Sequence, residues 1–220
     1  GTVVVFITHF INEPGVKNNR TMSGFMRSFD HGVSWTTYES VDGTHIGYPA
    51  ATAVDGNTNY VLYDSAEKGP HVLYVSTDNG RSWKKRSTLS LENDTWYGAL
   101  TLMKDGGLLA GAYLTKDEDH FYYCISTDQG HTWTKQQKAH VDKKIRDPEL
   151  AYLGGRYYLH GRSGHHGEGR HRFVLYQSDD GINWQDGIFV SGDGKKSDGY
   201  SSNCIINQYS DDVPNELMVE

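Results

Sequence analysis

The stretch Ser76-Thr77-Asp78-Asn79-Gly80-Arg81-Ser82-Trp83 occurs four times, with small changes, in this chain of 220 residues. Residues 28–35 read Ser-Phe-Asp-His-Gly-Val-Ser-Trp, residues 126–133 read Ser-Thr-Asp-Gln-Gly-His-Thr-Trp, and residues 178–184 form a shorter copy, Ser-Asp-Asp-Gly-Ile-Asn-Trp. The tryptophans that end successive copies are 48, 50 and 51 residues apart. Self-similarity with a period of about 40–50 residues is typical of repeated β units such as propeller blades.

The sequence between the copies has the pattern of short β-strands joined by tight turns. β-Branched and aromatic runs alternate with turn sequences such as Asp55-Gly56 and Asp105-Gly106, and helical periodicity is absent. Each unit therefore predicts one blade of four antiparallel strands. We expect an all-β chain whose residues 1–220 form one β-propeller domain, incomplete at both ends, with four to five blades of a six-bladed propeller. The predicted strands include residues 3–7, 59–63, 69–75, 107–113, 120–125, 156–160 and 171–177.

The aspartate of each copy has a structural explanation. In Ser/Thr-x-Asp-x-Gly the carboxylate can accept backbone N–H groups, and the glycine tolerates a positive φ, so the motif predicts a stapled turn with the tryptophan packed back over it. We therefore exclude four aspartates from any active site: Asp30, Asp78, Asp128 and Asp180.

Composition excludes two classes of partner. The net charge is −7 and Lys/Arg blocks are absent, which argues against a nucleic-acid-binding protein. No apolar run approaches the ~20 residues of a membrane-spanning helix, and no signal peptide is visible in this segment.

Of the two cysteines, Cys124 lies in a strand-like run and is expected to be a buried free thiol, with a disulfide to Cys204 left open.

The four copies resemble the Asp boxes of the sialidase (neuraminidase) superfamily, whose members are six-bladed β-propellers. Residues 46–55 and 96–108 are similar to segments that this family carries between its boxes. The most specific stretch is Arg146-Asp147-Pro148-Glu149-Leu150, followed by residues 155–163, which end in Gly-Arg-Ser. It is similar to the family pattern E-P-x-x-x-E-L-x-D-G-R-x-x-x-x-x-R-S, and the resemblance covers nearly the whole chain.

The resemblance implies a glycoside hydrolase that cleaves sialic-acid bonds. At its matching positions the family's glutamate polarises the nucleophile and its final arginine binds the substrate carboxylate; here these positions hold Asp147 and Arg162. A guanidinium binds a carboxylate bidentately, which suits this role, and Arg146 is a second substrate-binding candidate. The implied ligand is a sialylated glycan or polysialic acid, and no cofactor is expected.

Further candidates complete the predicted site. Glycoside cleavage needs paired carboxyl groups or a Tyr–carboxylate pair, so Glu149 joins Asp147, which it would accompany on one side of an extended strand. Residues 199–201, Gly-Tyr-Ser, resemble the surroundings of the family's nucleophile, which makes Tyr200 the nucleophile candidate. Trp96 and Tyr97 are candidates for stacking on sugar rings.

The Gly/His/Arg-rich segment 161–171 has two functional interpretations. It is expected to form a loop over the substrate, with His165 helping to bind an anionic glycan. A metal site made by residues 165, 166, 168 and 171 is the less favoured interpretation, because adjacent histidines rarely bind one ion together.

The chain departs from the complete sialidase pattern, and these departures leave alternatives open. The family's Arg-Ile-Pro segment is absent, and residues 6–14 hold no secure match to the acid catalyst. A partial set of this kind resembles a phage tailspike endosialidase, which would imply polysialic acid, a homotrimer and a virion location; otherwise a secreted enzyme is implied. Two other classes remain: a non-catalytic glycan-binding propeller, and a hydrolase of another sugar, since residues 147–150 and 155–159 also resemble five-bladed arabinanase-type enzymes.

Overall fold

In the part of the chain that the structure describes, regular structure consists of β-strands. The computed structural model describes residues 2–11, 20–41, 47–64, 70–92, 94–164, 172–190, 203–206 and 216–219, with backbone alone in the last two ranges. No helix of membrane-spanning length and hydropathy occurs within these ranges. The strands are β1 Val3–Ile11, β2 Arg20–Ser28, β3 Glu39–Ser40, β4 Tyr48–Asp55, β5 Thr58–Asp64, β6 Val72–Ser76, β7 Lys84–Thr88, β8 Thr95–Leu102, β9 Leu108–Leu114, β10 Asp117–Ser126, β11 Gln137–His140, β12 Arg146–Leu153, β13 Arg156–Arg162, β14 Phe173–Ser178, β15 Gln185–Phe189, β16 Asn203–Ile206 and β17 Glu216–Val219.

The first compact unit, Gly1–Leu89, contains two antiparallel sheets. Their strand orders are β1-β2-β3 and β4-β5-β6-β7. An aromatic cluster forms the core, in which Trp83 of the second box packs edge-on against Phe6, with ring centroids 5.0 Å apart. Trp83 and Phe25 are almost fully buried, so the box tryptophan joins its own sheet to the sheet that precedes it in the chain.

The second compact unit, Ser90–Glu220, contains two four-stranded antiparallel sheets and the pair β16–β17. The sheets have the orders β8-β9-β10-β11 and β12-β13-β14-β15. Trp184 of the fourth box packs edge-on against Phe121 at 6.3 Å, which repeats the arrangement of Trp83 in the first unit. The prediction of one four-stranded antiparallel sheet per repeat is confirmed for the strands β4–β15.

The Asp boxes are turn staples, as their sequences predict. In the second box the Asp78 carboxylate accepts the Ser82 N–H at 2.9 Å and the Ser82 hydroxyl at 2.7 Å, while the Gly80 N–H binds Ser76 Oγ at 2.8 Å. The same bonds recur in the first and third boxes. Asn79 has a φ of 59°, in the left-handed region. In all four boxes the aspartate carboxylate accepts hydrogen bonds from its own turn, which supports the exclusion of these aspartates from a catalytic site.

Cys124 is a free, fully buried thiol. Burial raises its pKa to about 12, so it is protonated and unreactive at neutral pH. The side chain of Cys204 lies outside the described residues.

Candidate active site

A β-bulge at the start of β12 shapes the candidate site. Arg146 pairs with Arg162 and Glu149 pairs with His160, so β12 carries one residue more than β13 between these pairs. Within the bulge Asp147 has a φ of 49°, a left-handed conformation that costs a non-glycine residue ~1–2 kcal/mol. Strain of this kind is concentrated at functional sites.

Gly161 permits the bulge. A Cβ atom on Gly161 would collide with the carbonyl oxygen of Arg146 and lie 2.8 Å from that of Asp147. The bulge also interrupts the two-residue alternation of β12. The extended geometry that would place Asp147 and Glu149 on one side of the strand is therefore absent.

Asp147 and Arg162 form a nearly buried ion pair. Arg162 Nε donates to Asp147 Oδ2 at 2.5 Å, and Arg162 Nη2 contacts the same oxygen. The side chain of Asp147 is 3% exposed and that of Arg162 is 12% exposed. The other carboxylate oxygen, Asp147 Oδ1, is buried and has no hydrogen-bond partner in the described part of the chain. A buried oxygen without a partner is a place where a ligand's hydroxyl or proton can be held.

Arg146 is held by a second carboxylate and a phenol. Its Nη2 donates to Tyr113 Oη at 2.9 Å, and its Nε lies 3.3 Å from Glu118 Oε1. Burial opposes the charge of Arg146, but the Tyr113 hydroxyl and the Asp147 and Glu118 carboxylates outweigh it and raise the arginine pKa. Burial raises the pKa of Tyr113, so this phenol is neutral. Gly164 leaves room for Glu118, since a Cβ there would collide with Glu118 Oε2.

A second bulge brings an aromatic residue to the same cluster. β8 carries one extra residue between Trp96, which pairs with Tyr113, and Ala99, which pairs with Gly111. In that bulge Tyr97 has a φ of 52°, and its ring stacks on Tyr113 with centroids 6.0 Å apart and planes 17° apart. Tyr97 thus occupies in β8 the position that Asp147 occupies in β12.

The structure brings together three of the predicted site residues, Arg146, Asp147 and Arg162, and it connects Tyr97 to them through Tyr113. Trp96 is half-buried beside Tyr113 in the β8–β9 register, and Glu149 is half-buried opposite His160. Tyr200 and His165 lie outside the described residues, as do the other members of the 165–171 metal hypothesis. In the described ranges no group of three or more His, Cys, Asp or Glu side chains is arranged to hold a metal ion.

Sequence reasoning missed Glu118 and Tyr113. Glu118 lies in an acidic run at the start of β10 and is 7% exposed, which no local pattern reveals. Tyr113 could have been found by aligning the repeats, because it pairs with Trp96 as Arg162 pairs with Arg146. Together the two arginines and two carboxylates carry no net charge, and they form a compact acid–base cluster.

The family model described as a BNR repeat-like domain matches residues 63–197, more than half of the chain. No curated protein is a significant match in sequence. A protein of unknown function from Dyadobacter fermentans is similar in structure, with a TM-score of 0.71 at 15% identity over 90% of this chain and 64% of that one. The NanB sialidase of Streptococcus pneumoniae has a TM-score of 0.63 at 17% identity, over 84% of this chain and 30% of that one.

An α-L-arabinofuranosidase from Clostridium thermocellum is also similar, with a TM-score of 0.61 at 13% identity over 86% of this chain and 69% of the enzyme. The chain spans less than two thirds of the length of the Dyadobacter fermentans protein and of the NanB sialidase. At such identities the likeness shows the fold. The fold class predicted from the box spacing, an all-β, sialidase-like propeller of four-stranded blades, is confirmed by it.

Proposed function

Since the chain belongs to the BNR repeat-like domain family, we propose that it is a glycoside hydrolase that cleaves the glycosidic bonds of sialic acid. The observation that carries the proposal is the buried cluster in which Arg162 and Arg146 lie beside the carboxylates of Asp147 and Glu118. Guanidinium groups bind the carboxylate of sialic acid, and a nearby carboxylate supports proton transfer or nucleophile activation. The proposal is also supported by the similarity between the fold of this chain and that of known sialidases.

In the proposed mechanism Arg162 binds the substrate carboxylate and Asp147 remains as its internal counter-ion. Glu118 and Tyr113 hold Arg146 in a fixed orientation, so that its guanidinium acts as a second anchor without reorganisation. Asp147 Oδ1 has no hydrogen-bond partner among the described residues. In this mechanism it is the oxygen that accepts the proton of the attacking nucleophile. Glu149 is the second carboxylate candidate, and Trp96 and Tyr97 provide aromatic surface for the sugar.

Tyr200 is the proposed nucleophile, on the strength of the sequence resemblance. A neutral tyrosine suits this substrate, because a carboxylate nucleophile would be repelled by the carboxylate of sialic acid. His165 is proposed to contact the anionic glycan. An endo-acting enzyme on polysialic acid, of the tailspike type, is the special case of this proposal that explains the incomplete arginine set.

The test is product analysis with the full-length protein, using sialyllactose and polysialic acid as substrates. Release of free sialic acid from sialyllactose supports an exo-sialidase, and shortening of polysialic acid without free monomer supports an endosialidase. Arg162→Lys should lower kcat/KM at least 100-fold, because Lys lacks the bidentate fork. The matched control is Arg156→Lys, at an exposed ion pair, which should leave kcat/KM unchanged. Binding of both glycans without cleavage would leave a lectin in place of the enzyme.

A second candidate is a hydrolase of a neutral sugar. Arg162 is already paired with Asp147 and Arg146 with Glu118, so the positive charges of the cluster are balanced and an anionic substrate must compete with Asp147. The likeness to an arabinofuranosidase favours the same alternative. Cleavage of an aryl α-L-arabinofuranoside together with inertness toward both sialylated substrates would select it.

A further inference from the structure

Two histidines face each other across β10 and β11, where β11 is an edge strand of its sheet and β10 is its neighbour. His120 and His140 are direct partners in the antiparallel register, so their side chains lie on one face of the sheet. Their ring centroids are 5.6 Å apart and their planes cross at 64°. His140 is exposed and His120 is partly exposed, so solvent reaches the pair. Neither residue belongs to the Asp147–Arg162 cluster.

A carboxylate fixes the orientation of one of these rings. Both oxygens of Asp117 bind His120 Nδ1, at 2.8 and 3.0 Å, and the Tyr122 hydroxyl donates to Asp117 Oδ2 at 2.5 Å. An imidazole that donates its Nδ1–H to a carboxylate carries its lone pair on Nε2. This carboxylate–histidine arrangement is the one that accompanies metal-binding histidines and strengthens them as ligands.

We propose that His120 and His140 bind one divalent transition-metal ion of the zinc type, with water filling the remaining positions. Two imidazoles on one tetrahedral ion, with metal–nitrogen distances near 2.1 Å, place their ring centroids ~5 Å apart, close to the observed spacing. Asp117 is turned toward Nδ1 of His120 and acts as the supporting group, so the protein supplies two ligands.

The charges around the pair select the class of ion. Lys138 Nζ lies 3.9 Å from Asp117 Oδ2 and balances the charge of that carboxylate. The two ligands that the site offers are imidazole nitrogens, which suit zinc, nickel and copper, whereas calcium and magnesium prefer oxygen ligands.

The test is calorimetric titration of the full chain with zinc chloride, and it does not depend on the substrate of the enzyme. His140→Gln and His120→Gln should each bind one zinc equivalent fewer than the wild type. Asp117→Asn should weaken the same site by 10- to 100-fold. The histidines of segment 165–171 remain in every variant, so zinc bound there cancels in the comparison.

His31→Gln is the matched control, because the third box carries Gln129 at the equivalent position and the backbone accepts that residue. It should bind zinc as the wild type does. The proposal is overturned if the wild type binds no zinc, or if both His120→Gln and His140→Gln retain the wild-type stoichiometry. Unchanged circular dichroism spectra of the variants establish that the sheet is intact.

Discussion

Asp147 and Arg162, 15 residues apart in the sequence, are joined by an ion pair in which a single carboxylate oxygen binds both Nε and Nη2 of the guanidinium. The pair lies at the bulged start of β12, beside the end of β13. It combines a buried charge pair with a strained backbone, and Asp147 keeps one buried oxygen without a hydrogen-bond partner among the described residues. These features identify the pair as the centre of the candidate site and determine what its removal should do.

Replacing Asp147 by Asn should destabilise the protein strongly. The variant leaves the Arg162 guanidinium buried without its counter-ion, and breaking a buried ion pair costs about 3–5 kcal/mol. Urea unfolding followed by tryptophan fluorescence measures the change in the free energy of unfolding. Arg156→Gln, which breaks an ion pair whose side chains are 57% and 87% exposed, should cost less than ~1 kcal/mol. Equal effects of the two variants would contradict the buried character of the Asp147–Arg162 pair.

Replacing Tyr113 by Phe should lower both the stability and the activity of the protein. The variant keeps the ring that stacks on Tyr97 and removes the hydroxyl that accepts a hydrogen bond from Arg146. Loss of a bond to a charged group costs about 1.5–3 kcal/mol. Because Arg146 would lose one of the two groups that orient it, kcat/KM on whichever substrate the product analysis selects should fall at least tenfold.

The control for this variant is Tyr157→Phe. Tyr157 is also buried, and its hydroxyl accepts the Lys104 N–H at 2.9 Å, away from the two arginines. It should lose stability and retain kcat/KM. Full activity of Tyr113→Phe would show that Arg146 needs no support from the phenol.

His160 should make the protein less stable as the pH falls from about 6.5 to about 4. Its side chain is fully buried, and desolvation lowers its pKa to about 4 from the ordinary value of 6.5. The unfolded chain therefore binds the proton first, and the free energy of unfolding decreases through this window by on the order of 3 kcal/mol. His160→Gln should flatten the pH dependence in this window. An unchanged slope would contradict the assignment, and His31→Gln is the exposed control.

Asp180 should contribute a second loss of stability at lower pH, from about 4 to about 2. Burial raises the pKa of Asp180, but the N–H groups of Ile182 and Asn183 donate hydrogen bonds that outweigh burial and lower the pKa to about 2. The folded state holds the charged form, so stability is complete above about pH 4 and declines as the carboxylate is protonated.

Asp180→Asn should lower the melting temperature at pH 7 and reduce its further decrease between pH 4 and 2. Asp179→Asn, at the neighbouring exposed position, is the control and should behave as the wild type. The same acid-induced decrease in both variants would show that the box aspartate does not carry this part of the pH dependence.

Much of the fold could be predicted from the sequence because the decisive interactions are local. The Asp78 carboxylate binds the backbone and side chain of Ser82 four residues away, so a segment of eight residues specifies its own turn. The period of the boxes then specifies a repeated four-stranded sheet. The bulge positions of Tyr97 and Asp147 could not be predicted in this way. Tyrosine does not favour a left-handed backbone, and aspartate, although enriched there among non-glycine residues, adopts it only in a minority of cases.

The sequence by itself determined the box turns, the strand content and the repeat period, and it selected the Arg146-Asp147-Pro148 segment and Arg162 as site candidates. Only the tertiary structure decided that Arg162 is bound to Asp147, that Glu118 and Tyr113 hold Arg146, and that His120 faces His140. The physical reason is that a turn is stabilised by atoms a few residues apart. A charge cluster instead depends on which strands pair, in which register, and on the low exposure that strengthens every interaction within it.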